Sequence, residues 1–171
     1  SRNTAISDQA VRTDRVSVRR PARLTAAVPG LTMAASKLAP LLNLRDRIPG
    51  MPWLSERLVG LSARRSLPGW SSRPFSSASR SATPGSPDRR VVLFVDTFSR
   101  WFEPENARAA QEVLAAAGYQ VEIASPMDNG RPLCCGRTFL AAGLVEEAKV
   151  EAHRMLKALR PFVERGIAVV G

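Results

Sequence analysis

The chain has 171 residues, of which 44% are hydrophobic, enough for one ordinary domain or for a small domain with a long appendage. The longest apolar runs span only a few residues, well short of the roughly 20 that a membrane-spanning helix needs, which excludes transmembrane helices. The net charge of +10 lies in the first half, because residues 1–90 hold 16 Lys and Arg against 5 Asp and Glu, whereas residues 91–171 hold 9 against 10.

The basic first half could attract nucleic acid or an anionic membrane surface. Its arginines are scattered among Pro, Ser and Ala, with few aromatic residues between them to stack on bases and no zinc-finger or helix-turn-helix spacing. We therefore expect no nucleic-acid partner. Contact with an anionic membrane and a compositional bias without any ligand both stay open as interpretations.

The first 65 residues divide into a polar segment and a helical spacer. Residues 1–28 show no steady period of 3.6 or 2, which predicts disorder or a frayed helix. Within the spacer, residues 29–65, apolar residues recurring every three or four positions predict a helix over 31–44, kinked at Pro40, and a shorter helix over 53–63. In both helices this pattern predicts a buried apolar stripe.

Residues 66–89 are dense in Ser, Pro, Gly and Arg. This composition is typical of an irregular linker on the protein surface. Only Leu67, Trp70 and Phe75 offer apolar anchors in it.

Residues 90–171 alternate between strand and helix patterns. The continuous apolar run at 91–95 is typical of a strand buried on both faces. Further strands are predicted at 120–124 and 167–170, and helices at 104–117 and 137–163, the last with a break at Gly143. This order predicts an α/β unit, a three-stranded parallel βαβαβ sheet with right-handed crossovers and helices on its faces.

The two cysteines of the chain are adjacent, at Cys134 and Cys135. Neighbours in sequence can bridge only each other, in a strained ring, so they are not a secreted disulfide framework, and a reducing compartment is expected. At the start of the helix near Arg137, the helix dipole and that arginine should lower the thiol pKa values. Gly136 would let the backbone turn closely around a bound group. Thiolates bind soft metals and iron–sulfur clusters, but two small cysteines packed under a loop explain the pattern equally well.

The turn after the first strand, at Asp96 and Thr97, should lie beside these cysteines. Ligands of open parallel sheets gather at the carboxyl ends of the strands, where both segments are expected. Asp96 either caps the strand end or holds loop amides near the cysteines. His153 lies on the charged side of the last helix and is expected to face solvent. Three aromatic residues are expected to cover the end of the core rather than to stack on a cofactor: Phe98, Trp101 and Phe102.

Two stretches of the sequence, LFVDTFSRWFEPENARAAQEVLAAAGYQV and GRPLCCGRTFLAAGLVEEA, resemble a known domain. It is the cysteine-rich CCG domain of iron–sulfur oxidoreductases such as glycolate oxidase, in its iron–sulfur subunit, and heterodisulfide reductase. The resemblance covers about residues 90–171, and its PLCCG motif is specific. The chain is most similar to fused proteins in which a flavin-linked 2-hydroxyacid or D-lactate dehydrogenase module precedes a ferredoxin-like [4Fe-4S] module and two CCG repeats.

The resemblance implies a cofactor site and a role in electron transfer. In the family, a cysteine after the first strand, a CC pair and a later cysteine motif supply cluster ligands. Cys134 and Cys135 match the pair and Gly136 completes its motif, whereas Thr97 stands where the first cysteine would fall. The resemblance thus implies a [4Fe-4S]-type cluster completed by residues outside this chain, with FAD elsewhere in the parent protein. Electrons would pass from oxidation of a 2-hydroxyacid, such as D-lactate or glycolate, to a redox or quinone-side acceptor.

Because the chain begins with Ser1 and stops directly after a predicted strand, we expect a piece of a longer polypeptide. Its partners would be the second CCG repeat and the flavin and ferredoxin-like modules of the parent. No catalytic residue is predicted in this piece, and its expected location is cytoplasmic or peripheral on the inner membrane face. The alternative function is a non-catalytic α/β docking module whose basic spacer contacts an anionic membrane or a partner.

Overall fold

The computed structural model describes residues 32, 34–76, 86–128 and 130–171. The predictions for residues 1–28, and for 77–85 of the linker, lie outside the described residues. Nine elements follow in chain order: α1 Ala39–Leu42, α2 Met51–Val59, β1 Ser86–Leu93, α3 Thr97–Trp101, α4 Pro104–Ala116, β2 Tyr119–Ile123, α5 Arg137–Ala141, α6 Val145–Val163 and β3 Ala168–Val170.

The three strands form one parallel sheet in the order β2-β1-β3. The central strand pairs Val91 with Val121 of β2 on one side and with Ala168 of β3 on the other. The chain passes through α4 between β1 and β2 and through α5 and α6 between β2 and β3. This arrangement confirms the predicted α/β unit.

Side chains of β1 and of the residue run just after it alternate between two hydrophobic clusters. Val91, Leu93 and Val95 pack with Ala107 of α4, whereas Val92 packs with Ala158 of α6. The run is apolar without interruption because helices cover both faces of the sheet, as the sequence predicts.

The first strand begins at Ser86, within the segment predicted to be an irregular linker. Its polar residues there pair with β2: the Arg89 guanidinium lies 4.4 Å from the Tyr119 ring centroid, and Arg90 forms an ion pair with Glu122. Cross-strand pairs of this kind stabilise a strand whose residues are not apolar. The linker prediction was therefore wrong at residues 86–89, because its polar composition concealed a strand.

The rest of the linker is irregular, as predicted, but part of it is buried rather than lying on the surface. Phe75 belongs to the cluster around β1, and its backbone N–H donates to the carbonyl of Arg100 at 2.8 Å while the Arg100 Nη1 donates back to the Phe75 carbonyl at 2.9 Å. The ring of Trp70 lies 4.4 Å from that of Phe102. Residues 66–76 therefore pack against the α/β unit.

The spacer breaks near Pro40 as predicted, but its apolar stripe is not buried. Residues 34–37 are helical, a turn follows at Leu38, and Pro40 lies in the first turn of α1. Ala39 is buried, yet three leucines assigned to the stripe are exposed: Leu38, Leu41 and Leu42. No side chain of α2 is buried either. The predicted stripes were wrong because helical period identifies an apolar side but not whether another element covers it.

Among the described helices, none is both long enough and apolar enough to cross a lipid bilayer.

Candidate functional site: a cysteine loop at the carboxyl edge of the sheet

The segment containing both cysteines lies at the carboxyl edge of the sheet. It follows β2, and Leu133 is buried in the cluster with Val92 and Ala124. Leu133 thus fixes the loop on the α6 side of the sheet, directly before Cys134. The thiols are therefore placed at the edge where open parallel sheets bind ligands.

Cys134 is buried and hydrogen-bonded. The backbone N–H of Gly136 donates to its Sγ at 3.4 Å, and the hydroxyl of Thr97 forms a second hydrogen bond with it. Burial raises the pKa of Cys134 above its ordinary value of 9.0, and these two hydrogen bonds offset only part of that effect. The expected drop in thiol pKa is therefore wrong for Cys134, because loss of hydration outweighs the hydrogen bonds.

Cys135, by contrast, is exposed and lines a cleft of about 400 Å³. The cleft lies between the carboxyl ends of β1 and β3. Its polar lining includes Asp96 and Ser99, and its apolar lining includes Phe94, Leu159 and Val169. The two neighbouring thiols thus occupy different environments, one in the core and one in a cleft.

Gly136 is needed for packing of the loop against α6. Its φ is +76°, in the left-handed region, and a Cβ at this position would lie 3.0 Å from the Ala148 carbonyl oxygen and 3.2 Å from the Glu151 Cβ. The close approach that we predicted for a bound group is made by the protein itself.

No family model, curated protein or solved structure matches this chain. The site must therefore be judged on its own residues.

A network of charges, which the sequence reasoning missed, holds the cysteine loop to α6. Glu151 is buried and pairs with Arg131 of the loop and with Arg154, 3.3 Å away. Arg154 also binds Asp128, with 3.0 Å between Nε and Oδ2, and its hydrogen bond is the main reason that the pKa of Asp128 falls to about 2. One signal was available, since Glu151 falls on the apolar side of α6, where an acid requires a cationic partner.

The remaining candidates take structural positions. The Asp96 carboxylate accepts from the Ser99 N–H at 2.7 Å and caps α3, which decides between the two roles considered for it. Trp101 is buried at the end of the core, as expected. His153 is exposed, also as expected.

The described residues do not fit a complete cluster site. Within residues 32, 34–76, 86–128 and 130–171, no three His, Cys, Asp or Glu side chains converge in a way that could hold a metal ion. The structure brings Thr97 to Cys134, but a hydroxyl is a hard ligand and a buried neutral thiol is a poor one. Only Cys135 has a thiol that is exposed at the cleft.

Proposed function

We propose that this chain is part of an iron–sulfur, flavin-dependent oxidoreductase of the CCG type. In this proposal the α/β unit contributes its cysteine loop to a cofactor site whose other ligands lie outside the described residues. The protein would relay electrons from a flavin module oxidising a 2-hydroxyacid, such as D-lactate or glycolate, to a redox or quinone-side acceptor. A location on the inner membrane face belongs to the same proposal.

The observation that supports it most is the position of Cys135. It lies in a cleft at the carboxyl edge of a parallel sheet, beside the turn that follows the central strand. Chemical groups bind at this edge in open α/β sheets. Thr97, at the position of the family's first cysteine, is also in contact with the cysteine pair through Cys134, which is the proximity that the family pattern requires.

Iron binding tests the proposal. The longer polypeptide that the resemblance implies is reconstituted anaerobically with iron and sulfide, and its iron content and visible absorbance are compared with those of variants. Cys135→Ser should lose most of the iron. Ser99→Ala, which alters the same cleft without removing a thiol, should keep it.

Thr97→Cys adds a test in the opposite direction. If Thr97 occupies a ligand position, this variant should bind more iron or hold it longer against a chelator than the unaltered protein does. Unchanged iron in Cys134→Ser, Cys135→Ser and Thr97→Cys alike would contradict the proposal.

A second candidate function is a non-catalytic docking module. It is favoured by the buried Cys134, whose high pKa and hydrogen bonds to Thr97 and Gly136 suit a structural thiol. In that case the reconstituted protein would contain no iron bound through this unit, and the spacer would be the functional part.

A further inference from the structure

The spacer is organised around a buried arginine rather than around its leucines. Arg45 is only 8% exposed, and its guanidinium donates from Nε to Ser55 Oγ at 2.7 Å and from Nη2 to the Ser62 carbonyl at 2.8 Å. These bonds connect α2 and the residues after it to the turn that follows α1. The polar groups are thus inside and hold the spacer together.

The apolar side chains of α2 lie outside. Trp53, Leu54 and Leu58 are 62%, 40% and 65% exposed. Together with Arg57 they are spaced three or four residues apart across two turns, so they share one side of the helix. We call this set the α2 outer face. An apolar face of this kind, left uncovered by its own chain, marks an interaction surface.

Uncompensated positive charge accompanies this face. Arg47, Arg57, Arg64 and Arg65 are exposed, and in the described part of the chain no ion pair involves any of them. Over residues 34–76 the sequence has seven Lys and Arg against two Asp and Glu, a net charge of +5. The matching surface must therefore be both apolar and negatively charged.

We propose that the α2 outer face binds the surface of an anionic phospholipid membrane. Leucine and tryptophan would enter the boundary between headgroups and acyl chains, while the arginines would contact lipid phosphates. A bilayer suits this short convex helix better than a protein would, since lipid adapts to its shape and a protein would need a matching groove. The inference concerns the spacer and does not depend on the iron–sulfur proposal.

Vesicle binding by the 171-residue chain tests this inference. The chain should sediment with vesicles of phosphatidylcholine mixed with phosphatidylglycerol, should bind phosphatidylcholine vesicles at least tenfold more weakly, and should be released by salt. Leu54→Ser combined with Leu58→Ser should weaken binding about tenfold or more. These residues are exposed, so the fold should persist, as circular dichroism would verify.

Matched variants identify the surface. Val113→Ser with Leu140→Ser removes two exposed apolar residues from the α/β unit and should leave binding unchanged. Arg57→Gln should weaken binding, whereas Lys157→Gln, on α6, should not. Lipid should shift the tryptophan emission to the blue, and Trp53→Phe should still bind while losing most of that shift.

Three outcomes would overturn the inference. One is equal binding to neutral and anionic vesicles, and another is equal loss of binding in the α2 and the α/β-unit variants. The third is self-association, measured by sedimentation, that is abolished by Leu54→Ser with Leu58→Ser while vesicles are not bound. That result would make a second copy of the chain the occupant of this face.

Discussion

Replacing Gly136 by alanine should destabilise the α/β unit more than an otherwise similar replacement of Gly143. Both glycines have a φ of +76°, a conformation that costs an ordinary residue about 1–2 kcal/mol. Around Gly143 there is nothing within 4 Å of a new Cβ, whereas at Gly136 the Cβ would press on the backbone of α6, 3.0 Å from the Ala148 carbonyl oxygen.

The contact with α6 supplies the difference between the two variants. Forcing an extra methyl group against packed atoms costs roughly 1–3 kcal/mol. Gly136→Ala should therefore lower the free energy of unfolding by about 2–5 kcal/mol, and Gly143→Ala by about 1–2 kcal/mol. The gain from restricting the unfolded chain, about 0.4–1 kcal/mol, is shared by both and cancels in the comparison.

Urea unfolding followed by tryptophan fluorescence measures both values, since Trp101 is buried in the unit. Equal destabilisation by the two variants would refute the packing of the cysteine loop against α6. It would also reopen the possibility that Gly136 serves a bound group.

Three further predictions concern the thiol, the spacer and the linker. Because the pKa of Cys134 is raised, its neutral form favours the folded state below the ordinary value near 9, and stability should fall as the pH rises above it; urea unfolding from pH 7 to 10 should show a steeper loss in the unaltered chain than in Cys134→Ala. Arg45→Lys keeps the charge but not the two-sided hydrogen bonding, so hydrogen exchange should lose protection in α2 while the β1 amides stay protected. Phe75→Ala should destabilise the α/β unit by about 3–5 kcal/mol in urea unfolding; a value below about 1 kcal/mol would mean that the linker does not contribute to the core.

The α/β unit could be predicted because its signals are local. The apolar run around Val92 indicates a strand covered on both faces, and Pro104 and Gly118 mark the limits of α4. Gly143, with a φ of +76°, separates α5 from α6 where the sequence predicts the break. Such residues act through their own backbone conformation and through spacing along the chain, which the sequence records directly.

Only the tertiary structure decided which of these surfaces are covered and which polar groups meet. Cys134 and Cys135 have the same side chain, yet one is buried and the other lines the cleft, since successive side chains of an extended loop point in different directions. The leucines of the spacer have the period of a buried stripe, yet Arg45 fills the interior in their place. Burial depends on contacts between residues far apart in the chain, and helical or strand period is a local property that cannot specify the partner.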